Sequence, residues 1–154
     1  MANSRVTQVL CSDLDSCNIV QGNTVRKILV PFDNSPHSAR SFGTALDMAK
    51  NREASIVVIS VIQEEIRKSW VNDTPTREGI RKLQKQAQKI GIGFDSTIVS
   101  SKSIAETIIS FASTNKIDLV VMGTRGKGMP KEMMLGRVST DVALNAHCPV
   151  LLVK

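Results

Sequence analysis

Residues 27–36 read Lys-Ile-Leu-Val-Pro-Phe-Asp-Asn-Ser-Pro. Ile28 to Phe32 is short and almost wholly apolar, the pattern of a strand covered on both faces; a strand with one wet face would alternate. Pro31 marks its carboxyl end, because proline cannot donate to a sheet ladder. Asp33-Asn34 turns the chain, and Ser35 followed by Pro36 supplies an N-cap and a first-turn proline. Behind them Ala39, Phe42, Leu46 and Ala49 recur at helical spacing. A buried strand that passes through a tight polar turn into an amphipathic helix is the opening half of a parallel crossover unit.

The rest of the chain repeats that unit. Ala54 to Ile62 (ASIVVISVI) is β-branched and continuous, a second buried strand. Gln63 to Thr76, with Trp70 and Pro75, has no clean period and reads as a loop or partly helical excursion long enough to cover a site. Ile80, Leu83, Ala87 and Ile90 form the inward stripe of a second helix that Gly91 ends, with Arg81, Lys85 and Lys89 on its solvated side. Phe94 to Val99 is a third strand. Ser103-Ile104-Ala105-Glu106 has the form of a capping box opening a third helix, with Ala105, Ile108, Ile109 and Ala112 inward. Ile117 to Met122 is the fourth strand, opened by Asp118 as a solvated edge residue. A glycine-rich loop, a fourth helix with Val138, Val142 and Ala146, and a last strand Val150 to Val153 complete the chain. Strands separated by crossover helices predict an α/β fold, one parallel sheet with helices on both faces. Ligands of such sheets bind beyond the carboxyl ends of the strands, where the winding reverses.

Composition narrows the function. Of 154 residues, 42% are apolar and 22% charged, ordinary globular usage that argues against a disordered or fibrous chain. With aromatics at 3% and no Tyr, the chain lacks the rings of a base-stacking platform for single strands. No apolar run approaches the roughly 18 residues of a membrane span, and the amino terminus has no signal-peptide pattern, so a cytosolic protein is expected. Met1 to Thr24 is polar and aperiodic, a flexible or loosely docked leader before a domain spanning residues 25–154. Cys11, Cys17 and Cys148 suggest neither a disulfide framework nor a zinc site, so free thiols are expected. The net charge of +6 resides in the domain, since the first 24 residues carry one Arg against two Asp. It favours anionic ligands in general without choosing among them.

The loop after strand four, Met-Gly-Thr-Arg-Gly-Lys-Gly-Met-Pro-Lys-Glu-Met-Met-Leu-Gly-Arg over residues 122–137, matches neither standard phosphate fingerprint. Gly128 is followed by Met129 where G-x-x-x-x-G-K-S/T needs Lys, and Gly126-Lys127-Gly128 has Lys131 where G-x-G-x-x-G needs its third glycine. Its physics still suits an anion: glycines admit close backbone approach, a helix begins near Gly136, and Arg125, Lys127, Lys131 and Arg137 stand against Glu132. A tight strand-to-helix connection, with glycines serving only backbone geometry, is the competing reading. Among single residues, Ser35 reads as a helix cap rather than a nucleophile, and His37 and His147 as surface or structural groups. Met129, Met133 and Met134 pack under the loop or face a partner.

The spacing G-x2-G-x9-G at Gly123, Gly126 and Gly136, the opening KILVPFDNS, the segment DLVVMGTRG and the ending CPVLLV together resemble the universal stress protein family over residues 25–154. The resemblance implies a five-stranded parallel sheet of order 3-2-1-4-5 with Rossmann-like winding and an adenine nucleotide in the crevice between strands one and four. Carried over by position, Pro31 and Asp33 lie at the ribose and adenine side, and the Val61 backbone reads the adenine edge. Met122, Gly123 and Gly126 flank the ribose and first phosphates, with Arg125 adding charge. Gly136, Arg137 and Val138 meet the outer phosphates. The ligand so implied is ATP, ADP or AMP, with Mg²⁺ accompanying ATP. One position departs from the family: Arg137 stands where Ser or Thr is usual. Either Ser139 and Thr140 supply the hydroxyl, or Arg137 binds phosphate by its own fork.

The expected function is a cytosolic stress-response regulator that binds the nucleotide and signals through conformation or association. Its rivals are a slow nucleotide hydrolase, for which no positioned base is legible, and a dimeric scaffold that no longer binds nucleotide. Nucleic acid and membrane are not expected partners. Homodimerisation is expected through the last strand, Pro149 to Val153, whose apolar side chains at a sheet edge need covering. The alternative cover is the leader, through Val6, Val9, Leu10, Ile19 and Val20.

Overall fold

The computed structural model describes residues 24–64, 74–126 and 135–154. The leader up to residue 23, most of the excursion with Trp70, and the loop centre with Gly128 and the three methionines lie outside the described residues. The elements are β1 (Lys27–Pro31), α1 (Pro36–Lys50), β2 (Ser55–Gln63), α2 (Thr74–Lys89), β3 (Phe94–Ser101), α3 (Ile104–Thr114), β4 (Leu119–Gly123), α4 (Arg137–Asn145) and β5 (Val150–Val153). The strands form one parallel sheet in the order β3-β2-β1-β4-β5, as the resemblance implies.

Alternation along the central strands divides the core into two layers. Ile28, Val30, Ile56 and Val58 face α1 and α2, packing on Phe42, Ala45, Ile80 and Leu83. Leu29, Val57, Ile59 and Val120 face the opposite way, onto Ile108 and Ala112 of α3 and Val142 of α4. This two-sided burial is why the strands read as unbroken apolar runs. The winding reverses at β1, which has β2 on one side and β4 on the other.

Proline makes that reversal a crevice. β1 pairs with β2 as far as Pro31–Ile59, and β4 with β5 as far as Gly123–Val153, whereas the β1–β4 register stops at Leu29–Val120. The Phe32 N–H donates to Ile59 O of β2 at 2.8 Å. Successive residues of a strand address opposite neighbours, so the Pro31 nitrogen faces β4 without a proton to give, and the β1–β4 ladder ends there.

Local detail departs from the sequence reading at several points. In α1 the buried residues are Ser38, Ser41, Phe42, Ala45 and Ala49, while Ala39 is exposed. Serines can face inward because their hydroxyls are satisfied within the helix: Ser38 Oγ donates to Ser35 O at 3.0 Å and Ser41 Oγ to Ser38 O at 2.9 Å. Ser35 and Ser38 form a complete capping box. At α3 only half of the expected box exists; Ser103 Oγ accepts from Glu106 N at 3.4 Å, but the Ser103 N–H donates to Ser101 Oγ at 3.3 Å. Ile90 is 43% exposed because α2 stops at Lys89 and Gly91, at φ +74°, turns the chain away.

Asp118 is not a solvated edge residue. Its Oδ2 accepts the N–H groups of both Arg26 and Lys27 at 2.9 Å, clipping the start of β1 to the start of β4. Cys148 is a free thiol whose partial burial pushes its ionisation upward against the effect of its backbone hydrogen bonds. Among the described residues no helix is long and apolar enough to cross a membrane. Gly43, exposed in the middle of α1, has open space where a Cβ would stand. Gly43→Ala should therefore stabilise the protein by about 0.5–1 kcal/mol, read as a higher urea midpoint at unchanged slope.

Candidate functional site

Beyond the carboxyl ends of β1, β2 and β4 lies a cavity of about 530 Å³, within the range of small-molecule sites. Every position singled out by the resemblance lines it: Pro31 and Asp33 after β1, Val61 at the end of β2, Met122, Gly123, Arg125 and Gly126 at the end of β4, and Gly136, Arg137, Val138 and Ser139 at the start of α4.

The turn after β1 is built to hold one carboxylate still. Asn34 adopts φ +61°, a left-handed conformation that Asn tolerates, and Asp33 Oδ1 accepts the Ser35 N–H at 3.0 Å. Gly79 of α2 packs on this turn so closely that a Cβ there would lie 2.7 Å from Asn34 Oδ1 and 3.0 Å from the Phe32 ring. Across the crevice, a Cβ on Gly126 would stand 3.2 Å from Asp33 Oδ2. The two strand-end loops therefore meet at the Asp33 carboxylate.

The loop after β4 is pinned at both ends by one buried residue. The Thr124 N–H donates to Val153 O at 3.0 Å, and its carbonyl accepts the Gly136 N–H at 2.7 Å and the Ser139 hydroxyl at 3.1 Å. Gly136 is the N-cap of α4 and brings no capping side chain, while its carbonyl accepts the Thr140 N–H at 3.0 Å. The N–H groups of the first turn thus meet the cavity with the positive end of the helix dipole behind them. Both nearby hydroxyls are turned into backbone: Ser139 Oγ is 2.9 Å from Gly136 O as well as 3.1 Å from Thr124 O, and Thr140 Oγ1 donates to Gly136 O at 2.9 Å. Among the described residues, the charged ones lining the cavity are Asp33 after β1, Arg125 after β4 and Arg137 at the start of α4.

Ser35 acts as a helix cap, and His37 does not line the cavity. His37 Nδ1 accepts from the Arg40 guanidinium at 2.8 Å, and its backbone lies against Gly123. Sequence reading alone does not single out Ile59, Ser60, Ile62 and Gln63 of β2, Thr76 of α2, or Ile104 and Ile108 of α3, which, with Phe32 and Ser38, also line the wall. The apolar ones carry the same signal as core residues; Thr124 had a sequence signal, a polar residue directly after the β4 glycine.

Comparison with known proteins places this architecture. The pattern of the Universal stress protein family matches residues 24–154. A universal stress protein of Methanocaldococcus jannaschii is 33% identical over 143 residues, 86% of this chain and 84% of that one. Among solved structures, a universal stress protein in complex with cAMP superposes with a TM-score of 0.69 at 21% identity, covering 86% of this chain and 99% of its own. The universal stress protein from Archaeoglobus fulgidus in complex with dAMP gives 0.66 at 21% identity, covering 86% and 100%. The chain belongs to the universal stress protein family.

Proposed function

We propose that this protein binds an adenine nucleotide in the crevice between β1 and β4 and acts as a stress-response regulator that signals through conformation or association. The observation that carries the reading is the meeting of the two strand-end loops, with Gly126 facing Asp33 so closely that a Cβ there would press on the carboxylate at 3.2 Å. Glycine there keeps a slot open for backbone approach to a ligand. Asp33 suits ribose hydroxyls, which donate to a carboxylate, and the Val61 backbone at the end of β2 suits the adenine edge. The start of α4, with Arg125 and Arg137 nearby, suits phosphate. The cAMP and dAMP complexes of relatives with this fold support the ligand class.

Regulation is favoured over hydrolysis because Asp33 is the one carboxylate among the described cavity-lining residues, and its Oδ1 is engaged by the Ser35 N–H. Association would run through β5, an edge strand in which Leu151 is 37% exposed, with Leu144 of the preceding helix α4 78% exposed. A second copy paired about a two-fold axis closes that edge without propagating.

The test is direct. Protein purified from cells, heat-denatured and cleared should release an adenine nucleotide into the supernatant, and phosphate release over hours should stay at background. Light scattering should give a dimer for the full chain and for a chain starting at Thr24. A supernatant without nucleotide, together with no calorimetric signal for AMP or ATP, would overturn the binding reading; a monomer that associates only after truncation would overturn the β5 pairing in favour of the leader.

A further inference from the structure

The two cavity-lining arginines spring from adjoining stretches of backbone. Arg125 follows Thr124 and Arg137 follows Gly136, and these two residues are joined by the 2.7 Å backbone hydrogen bond that closes the loop. Neither guanidinium has a hydrogen-bond or ion-pair partner among the described residues. Two fixed positive charges therefore line the cavity from positions that adjoin the two ends of one backbone hydrogen bond.

The oxygens beside them suit a metal ion poorly. Ser139 is 3% exposed, and its hydroxyl is held by Thr124 O and Gly136 O; the Thr140 hydroxyl is held by Gly136 O. A divalent cation carried in on a nucleotide would compete with both guanidiniums for the same phosphate oxygens and be repelled by their charge. The resemblance implies Mg²⁺ accompanying ATP, and the described residues at this end of the cavity do not fit it.

We infer that this site takes its nucleotide as the metal-free polyanion, with Arg125 and Arg137 together neutralising phosphate in place of a divalent cation. The inference rests on the nucleotide reading above. Guanidiniums meet phosphate through paired, charge-assisted hydrogen bonds, so the bare polyphosphate gains most from them. Mg²⁺ and the protein then compete for the nucleotide, and by linkage the apparent affinity falls as free Mg²⁺ rises.

The experiment is a calorimetric titration of the full chain with ATP at constant ionic strength, once in EDTA and once in excess MgCl₂, with adenosine in parallel. In the native protein ATP should bind roughly tenfold more weakly in Mg²⁺, with adenosine unchanged. Arg137→Ser, which removes one charge and supplies a hydroxyl at an exposed first-turn position, should lower ATP affinity in EDTA about tenfold or more and abolish the Mg²⁺ penalty. Arg137→Lys, keeping the charge without the fork, should fall between the two. If Mg²⁺ tightens or leaves unchanged ATP binding to the native protein, or if the Arg137→Ser response to Mg²⁺ matches the native one, metal-free recognition is wrong while the nucleotide site stands. Binding of adenosine but not ATP also overturns it. If neither ligand binds under any condition, both readings fall together.

Discussion

Gly123→Val should lower stability by about 2–3 kcal/mol, a drop of roughly 6–12 °C in the melting temperature for a domain of this size. A Cβ built on Gly123 stands 2.9 Å from the His37 Cβ and 3.1 Å from the His37 carbonyl carbon. The obstacle is the first turn of α1, whose backbone is fixed by the Ser35–Ser38 capping box, so it cannot step aside without disturbing the helix start. Gly123 does not sit at positive φ, and the cost is therefore contact rather than backbone strain. Gly123→Ala should show a smaller loss in the same direction. Differential scanning calorimetry checks both, and a valine variant that melts within 2 °C of the native protein would refute the close packing of β4 on α1.

The second glycine should behave in the opposite manner. Its Cβ would meet only the far end of the Asp33 side chain, at 3.2 Å, and the position is exposed. The fold can absorb that by a small carboxylate shift, while the valine methyl groups fill the slot between the two loops. Gly126→Val should melt within about 2 °C of the native protein yet lose AMP and ATP affinity by roughly a hundredfold, about 2.7 kcal/mol. Gly126→Ala should be intermediate. Unchanged affinity by calorimetry would move the nucleotide site elsewhere. The pair of variants also separates two roles within one motif: Gly123 lets a strand and a helix touch, and Gly126 keeps space open.

Most of the fold was legible because its central strands are buried on both sides. Ile28–Phe32, Ala54–Ile62 and Ile117–Met122 read as strands for the same reason that their side chains divide between the two core layers. Legibility failed where polar groups satisfy themselves locally. The stripe of Ala39, Phe42, Leu46 and Ala49 leaves out Ser38 and Ser41, which are buried, and the apolar pattern ends β3 at Val99 although it runs to Ser101 through two serines. It failed again where a partner is distant: nothing near Asp118 in sequence announces that it will hold Arg26 and Lys27. For the candidate site, the glycines and the strand-end Pro31 and Asp33 could be picked out, because chemistry at a strand's carboxyl end is unusual. The contributions of Ile59, Ile104 and Ile108 to the wall could not, since an isoleucine lining a ligand cavity and one filling a core obey the same pattern.

The Asp118 clip spans 92 residues, and this separation has a consequence for how the chain comes into being. β1 is made first among the strands yet lies at the centre of the sheet, between β2 and β4. β2 follows promptly and covers one flank. The other flank waits for β4, which at ordinary synthesis rates of about 5–20 residues per second arrives roughly 5–20 s later. Through that interval Ile28, Leu29 and Val30 present an apolar strand edge with its hydrogen-bonding groups unanswered, the kind of surface that pairs with whatever strand it meets. The nascent protein is thus most exposed to misassociation before β4 has been translated, and the Asp118 carboxylate, taking two N–H groups at once, is the latch that ends the exposure.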